Sequence, residues 1–142
     1  MSEESIIRHC SPTLAGIKTG NIFNCHFSSR EAMIRSVCLW NKKLKGKGIR
    51  ILPLRYRDSK ALIYFYRPDL LAEDIKDKRA CRILSERGYC LKNGERCVAH
   101  LIERLSQCEE FPHEIGLFLG YPPEDVDGFI ENKACRCKCV GC

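Results

Sequence analysis

Residues 61–66 read ALIYFY, and no other stretch restricts the fold as strongly. β-Branched and aromatic side chains suit a pleated surface and lose rotamer freedom in a helix. The run therefore predicts a strand. Ile49–Tyr56 predicts a second, joined to it by the turn Arg57-Asp58-Ser59-Lys60. Pro53 has no backbone N–H to give to a ladder, which places the first strand at an edge or on a bulge.

The remaining segments carry helix punctuation. Ser11 and Pro12 have the residue types of an N-cap and a first helical position, so a short helix is expected to open there, with Cys10 just outside it. Gly20 and Asn21 break that segment, and Ile22–Phe27 is a short apolar piece of unassigned type. Ser28 to Glu31 form a capping box, opening a helix with Ile34, Val37, Cys38 and Leu44 on one face and stopping at Gly46 and Gly48. Pro68 opens a helical region through Lys76. Asp77 caps another that reaches Arg87 and stops at Gly88. Asn93 caps the next, with an apolar stripe of Val98, Leu101, Ile102 and Leu105 and with His100 near its edge.

Phe111–Ile130, FPHEIGLFLGYPPEDVDGFI, predicts two short helices meeting at a corner. Pro112 starts the first, with His113 and Glu114 in its first turn and Ile115, Phe118 and Leu119 on its buried side. Gly120 ends it. Pro123 starts the second, whose buried face is Val126, Phe129 and Ile130. The expectation is a single α+β domain over residues 1–134, a small antiparallel sheet (hairpin about 49–66) covered by several short helices. Residues 135–142 form a cysteine-rich tail.

A chain of 142 residues with 44% apolar and 30% charged residues can build a core without disulfides or metals. No apolar run approaches the roughly 18 residues of a membrane span. The start, MSEESIIRHC, has acids where a secretory leader has bases, so a cytoplasmic protein is expected. The net charge of +6 is concentrated: residues 31–60 hold nine Lys/Arg against two acids. The excess centres on Lys42, Lys43, Lys45, Lys47 and Arg50, cations that complement a helix C-terminus. No aromatic residues interleave to stack bases, so specific nucleic-acid binding is not expected.

Eleven cysteines frame the chemistry. In a reducing compartment most should be thiols, and Cys38, Cys81 and Cys108 fall in helical patterns as small buried hydrophobes. Cys10, at the positive end of a helix, would have a stabilised thiolate and is the candidate nucleophile. His113 is its first candidate base and His9 its second. Glu114 is a candidate to orient a histidine, although adjacent helical residues point about 100° apart. Cys135, Cys137, Cys139 and Cys142 are candidate thiolate ligands for zinc or an iron–sulfur cluster. Their C-x-C-x-C-x-x-C spacing has no distant second pair and needs a turn near Gly141 for all four to converge. Without chemistry, the corner at Phe111–Ile130 offers a surface for a protein partner or small ligand, with the N–H groups at Pro112–Glu114 available to an anion. Neither a phosphate loop, a GxSxG elbow nor a carboxylate pair assigns a reaction class.

Three stretches, HCSPTLAGIKTGNIF, YFYRP and FPHEIGLFLGYPPEDVDGFI, together resemble DUF3793, an uncharacterised bacterial family found mainly in anaerobic Firmicutes. The resemblance covers nearly the whole chain and implies no established activity. It also implies a C-terminally short member, because similar proteins continue past Cys139-Val140-Gly141-Cys142 through an aromatic WKVYG-like segment. If that segment supplies a strand beside ALIYFY, an open sheet edge is expected here.

Overall fold

A computed structural model describes residues 3–107 and 112–128. The chain runs α1 (Glu3–Leu14), β1 (Gly20–His26), α2 (Arg30–Leu44), a 3₁₀ turn (Lys45–Lys47), β2 (Arg50–Arg57) and β3 (Lys60–Tyr66). It continues through α3 (Pro68–Asp74), α4 (Lys78–Glu86), α5 (Gly94–Gln107), α6 (Ile115–Leu119) and α7 (123–128). This is an α+β fold with one antiparallel sheet of order β1-β3-β2.

ALIYFY is the centre of that sheet. β2 and β3 form the expected hairpin, and Asp58 and Ser59 both have positive φ, 49° and 62°. Two consecutive left-handed residues match the twist of the flanking strands. The register shifts between Pro53 and Arg55, so Pro53 sits by a bulge on an edge strand as expected. On the other side β1 pairs with β3 from Gly20↔Tyr66 to His26↔Lys60. The piece of unassigned type is thus a strand, and Gly20 begins it rather than breaking it. A Cβ at Gly20 would lie 2.7 Å from the Tyr64 ring and 2.8 Å from the Phe118 carbonyl oxygen, so only glycine fits there. β3 therefore has partners on both sides.

A strand sends alternate side chains to opposite faces, and both faces of β3 are covered. Ala61, Ile63 and Phe65 join one core, built with Ile6 and Cys10 of α1 and Met33, Val37 and Leu44 of α2. Leu62, Tyr64 and Tyr66 join the other, built by α3, α4, α5, α6 and α7 through residues such as Leu71, Leu84, Leu101, Phe118 and Val126. Asn41 of α2 reaches the free edge of β2. Its amide donates to the Ile51 carbonyl and accepts from the Ile51 N–H, both at 2.7 Å. Part of an edge that would otherwise invite another strand is satisfied in this way.

Two helix starts differ from expectation. α1 runs through Ser11 and Pro12 instead of beginning there, and the Ser11 hydroxyl donates to the Ile7 carbonyl at 2.9 Å. Pro12 falls in the last turn, where few helical residues follow it. Ile6, Cys10 and Thr13 recur at helical spacing and are all buried, which sets the helix against the sheet. α2 is capped by Ser29, not Ser28; its hydroxyl accepts from the Ala32 N–H at 3.1 Å. The later boundaries follow the punctuation: Pro68 opens α3, the Asp77 carboxylate caps α4, and the Asn93 side chain accepts from the Arg96 N–H at the start of α5.

Candidate functional site

The helical corner is built from both ends of the chain. α6 ends at Gly120, whose φ of 91° is left-handed, and a Cβ there would meet Thr19 atoms at 3.0–3.1 Å. The Thr19 hydroxyl in turn hydrogen-bonds Asp74, and the Tyr64 hydroxyl donates to the Phe118 carbonyl. α7 follows at 123–128 and buries Val126 against Gly116. Phe129 and Ile130 lie outside the described residues. The expected pair of short helices is present, but α6 starts at Ile115, so His113 and Glu114 precede it.

That displacement changes the meaning of Glu114. Expected in a first turn as a candidate to orient a histidine, it is fully buried. Its Oε2 accepts from the Tyr89 hydroxyl at 2.9 Å and ion-pairs with Arg104 of α5. Its Oε1 lies 3.4 Å from Nε of Arg87, at the end of α4, an ion-pair distance without hydrogen-bond geometry. A buried carboxylate without partners would be severely penalised, and here two guanidinium groups compensate it. Burial and the neighbouring Glu114 charge hold the Tyr89 phenol above its ordinary range, so it stays a neutral donor. Arg87 also donates to the Ile83 carbonyl, and the His100 ring lies 3.1 Å from the Arg87 carbonyl and packs edge-on to Tyr89. Glu114 therefore ties α4 and α5 to the start of α6. Residues 112–114 precede α6 and are not its first turn, and the Glu114 side chain makes no cap bond to the helix.

The proposed thiol constellation is dispersed. Cys10 lies within α1, not before a helix, so it gains nothing from a positive helix end. It is fully buried among apolar neighbours, and that burial pushes its thiol up to about 12 despite the opposing charge of Lys18. His9 is exposed and stacks on Phe23 with ring centroids 5.1 Å apart. Half-buried His113 adjoins Glu114, whose partner Tyr89 belongs to the core on the far side of the sheet from Cys10. The fold thus places His9 and Cys10 on neighbouring positions of one helix and puts His113 across the sheet from them.

Other cysteines sort differently. Cys38 is exposed rather than buried, Cys81 is half-buried, and Cys108 and the cluster Cys135, Cys137, Cys139 and Cys142 lie outside the described residues. Among the described residues no group of three His, Cys, Asp or Glu side chains is placed to hold a metal ion. Cys90 belongs to no sequence motif. It lies in the loop before α5, where the Lys92 backbone N–H and then the Arg96 side chain draw its thiol below the ordinary value. The signal available was a cysteine in a polar loop with two basic residues close behind it. The basic run is also resolved: Lys42 and Lys43 occupy the last turn of α2, where they complement the helix dipole.

Arg67, from the YFYRP stretch, ties the end of β3 to the end of α1. Its guanidinium donates to the Thr13 and Leu14 carbonyls at the end of α1, at 2.7 and 2.8 Å, and to the Lys47 carbonyl at 2.9 Å. A planar donor fork suits carbonyls left open at a helix end. The three stretches therefore meet at the sheet: HCSPTLAGIKTGNIF contributes to α1 and β1, YFYRP to the central strand and Arg67, and α6, from the third stretch, packs against β1.

The fold and site define a small α+β protein organised by a three-stranded sheet and a buried Glu–Arg cluster. Residues 6–142 match the family described as Protein of unknown function (DUF3793), and the chain belongs to that family. No curated protein and no solved structure matches it.

Proposed function

We propose that this protein is a cytoplasmic, non-enzymatic binding module that presents the helical corner formed by α6 and α7 to a protein partner. The observation that carries the reading is the burial of Glu114 between Arg87 and Arg104. A carboxylate so compensated sets the position of a short helix that has too few residues to hold itself. A rigid surface loses less freedom on binding. Beside it, Tyr121 is 54% exposed, with the Lys18 ammonium 5.4 Å from its ring centroid, and Ile17 on the same loop as Lys18 is 83% exposed. An exposed aromatic with a cation against its ring is the kind of anchor that interfaces use. The free thiols Cys10, Cys25, Cys38, Cys81, Cys90 and Cys97 suit a reducing compartment, and among the described residues no helix is long and apolar enough to cross a membrane.

The thiol-centred alternative asks Cys10 to ionise in an apolar core, which its surroundings oppose. The binding reading is tested by placing a photo-crosslinking amino acid at Tyr121, and separately at exposed Asp69, in cells that make the protein. A discrete adduct from position 121 that is missing from position 69 supports it. Absence of any adduct at 121, or the same adducts from both positions, rejects it.

A further inference from the structure

The two edges of the sheet differ in charge, and the β2 edge holds a cleft that the corner does not use. Its volume is about 420 Å³. Arg30, at the start of α2, lines it together with Arg55, Tyr56 and Arg57 of β2 and Ser106 and Gln107 at the end of α5. No carboxylate lines the cleft among the described residues, and neither Arg30 nor Arg57 has an ion pair with any of them. The Arg30 guanidinium lies 4.7 Å from the centroid of the Tyr56 ring, which orients the cation without neutralising it. The Tyr56 hydroxyl is buried and has no hydrogen-bond partner among the described residues, an arrangement that costs free energy unless a ligand or water completes it. α2 is 15 residues long, so its positive end adds to the same field.

We propose that this cleft binds a small molecule through a multivalent oxyanion group, a phosphate or a set of carboxylates. Arg30 and Arg57 supply charge and forked N–H donors, and Tyr56 donates its hydroxyl proton to an oxyanion oxygen. Guanidinium forks match both oxyanions, whereas a monovalent anion would leave a cation uncompensated. The cleft volume suits a metabolite of modest size. Ser106 already donates to the Glu103 carbonyl at 2.7 Å, so its oxygen keeps acceptor capacity for hydroxyl groups on the rest of the ligand.

The test is calorimetric titration of the full chain with pyrophosphate and, separately, with citrate at fixed ionic strength. Saturable 1:1 binding of either supports the proposal; pyrophosphate alone assigns phosphate, citrate alone assigns carboxylates, and both leave the shared oxyanion chemistry. Arg57→Gln should weaken binding at least about tenfold and Tyr56→Phe several-fold. Lys42→Gln, on the far end of α2, should leave it unchanged. Because Arg30 and Arg57 are exposed, Arg30→Gln and Arg57→Gln should keep the wild-type melting temperature, so loss of binding is not loss of fold. No saturable binding of either probe overturns the proposal. So does equal weakening by Lys42→Gln and Arg57→Gln, which would mean diffuse attraction to a basic surface.

Discussion

The two cores on either side of β3 are made of the same strand yet held in different ways. The core shared with α1 and α2 is closed by apolar contacts: Ile6, Cys10, Val37, Ile51, Ile63 and Phe65. Even its buried cysteine is a neutral thiol acting as a small hydrophobe. The core shared with α3 to α7 is larger and has Glu114 at its margin, with two arginines and a tyrosine hydroxyl around it. Apolar packing tolerates small losses gradually. A compensated buried charge fails abruptly, because removing one member leaves the others uncompensated.

The sharpest way to break this comparison is Glu114→Ala. It strands Arg87 and Arg104, and a loss of about 3–5 kcal/mol is expected, measured by chemical denaturation. Arg104→Met tests the same cluster from the other side. A variant at Glu114 that melts like wild type would show the cluster to be dispensable.

Thiol reactivity separates the two regions next. At neutral pH iodoacetamide should modify Cys90 at least about tenfold faster than Cys10, followed by peptide mass spectrometry. The thiol of Cys10 is neutral in the folded state up to about 12 and ionises near 9 once unfolded. The folded state therefore binds more protons in that window, so stability falls as pH rises from 9 towards 12. Cys10→Ala should make that alkaline decline shallower. Faster labelling of Cys10 than of Cys90 would restore the nucleophile reading.

In the apolar core, Ile63→Val should cost only about 1 kcal/mol, since one methylene is lost from a fully buried side chain. The smallest effect belongs to the surface pair Arg50–Glu95. Its atoms are 2.8 Å apart, but the side chains are 47% and 76% exposed, and Glu95→Ala should change stability by less than about 0.5 kcal/mol. A large loss there would mean that surface charge matters more in this fold than the contrast between its cores implies.

Much of the architecture was legible locally. ALIYFY announced a strand because its residue types fit nothing else so well, and Asp58-Ser59 marked the turn. Pro53 announced the bulged edge, and Pro68, Asp77, Asn93 and Gly120 marked helix ends. The errors came where a local signal has two meanings. Ser11-Pro12 can open a helix or lie in its last turn; the buried spacing of Ile6, Cys10 and Thr13 decides, and it matters only once a sheet is there to receive it. Gly20 can break a segment or let a backbone approach a tyrosine ring, and the ring is contributed from residue 64. For the site, Glu114 was singled out but given the wrong surroundings, since Arg87 and Arg104 are distant along the chain.

The sequence by itself determined that residues 49–66 form a hairpin, that most helices end where their caps and glycines lie, and that two short helices follow Phe111. These depend on backbone preferences acting over a few residues. Only the tertiary structure decided that ALIYFY is central, with β1 on its second side and a core on each face. It also decided that Cys10 is sequestered and that Glu114 is a buried anion between two cations. Burial and charge compensation depend on which distant segments meet, and no local propensity encodes that.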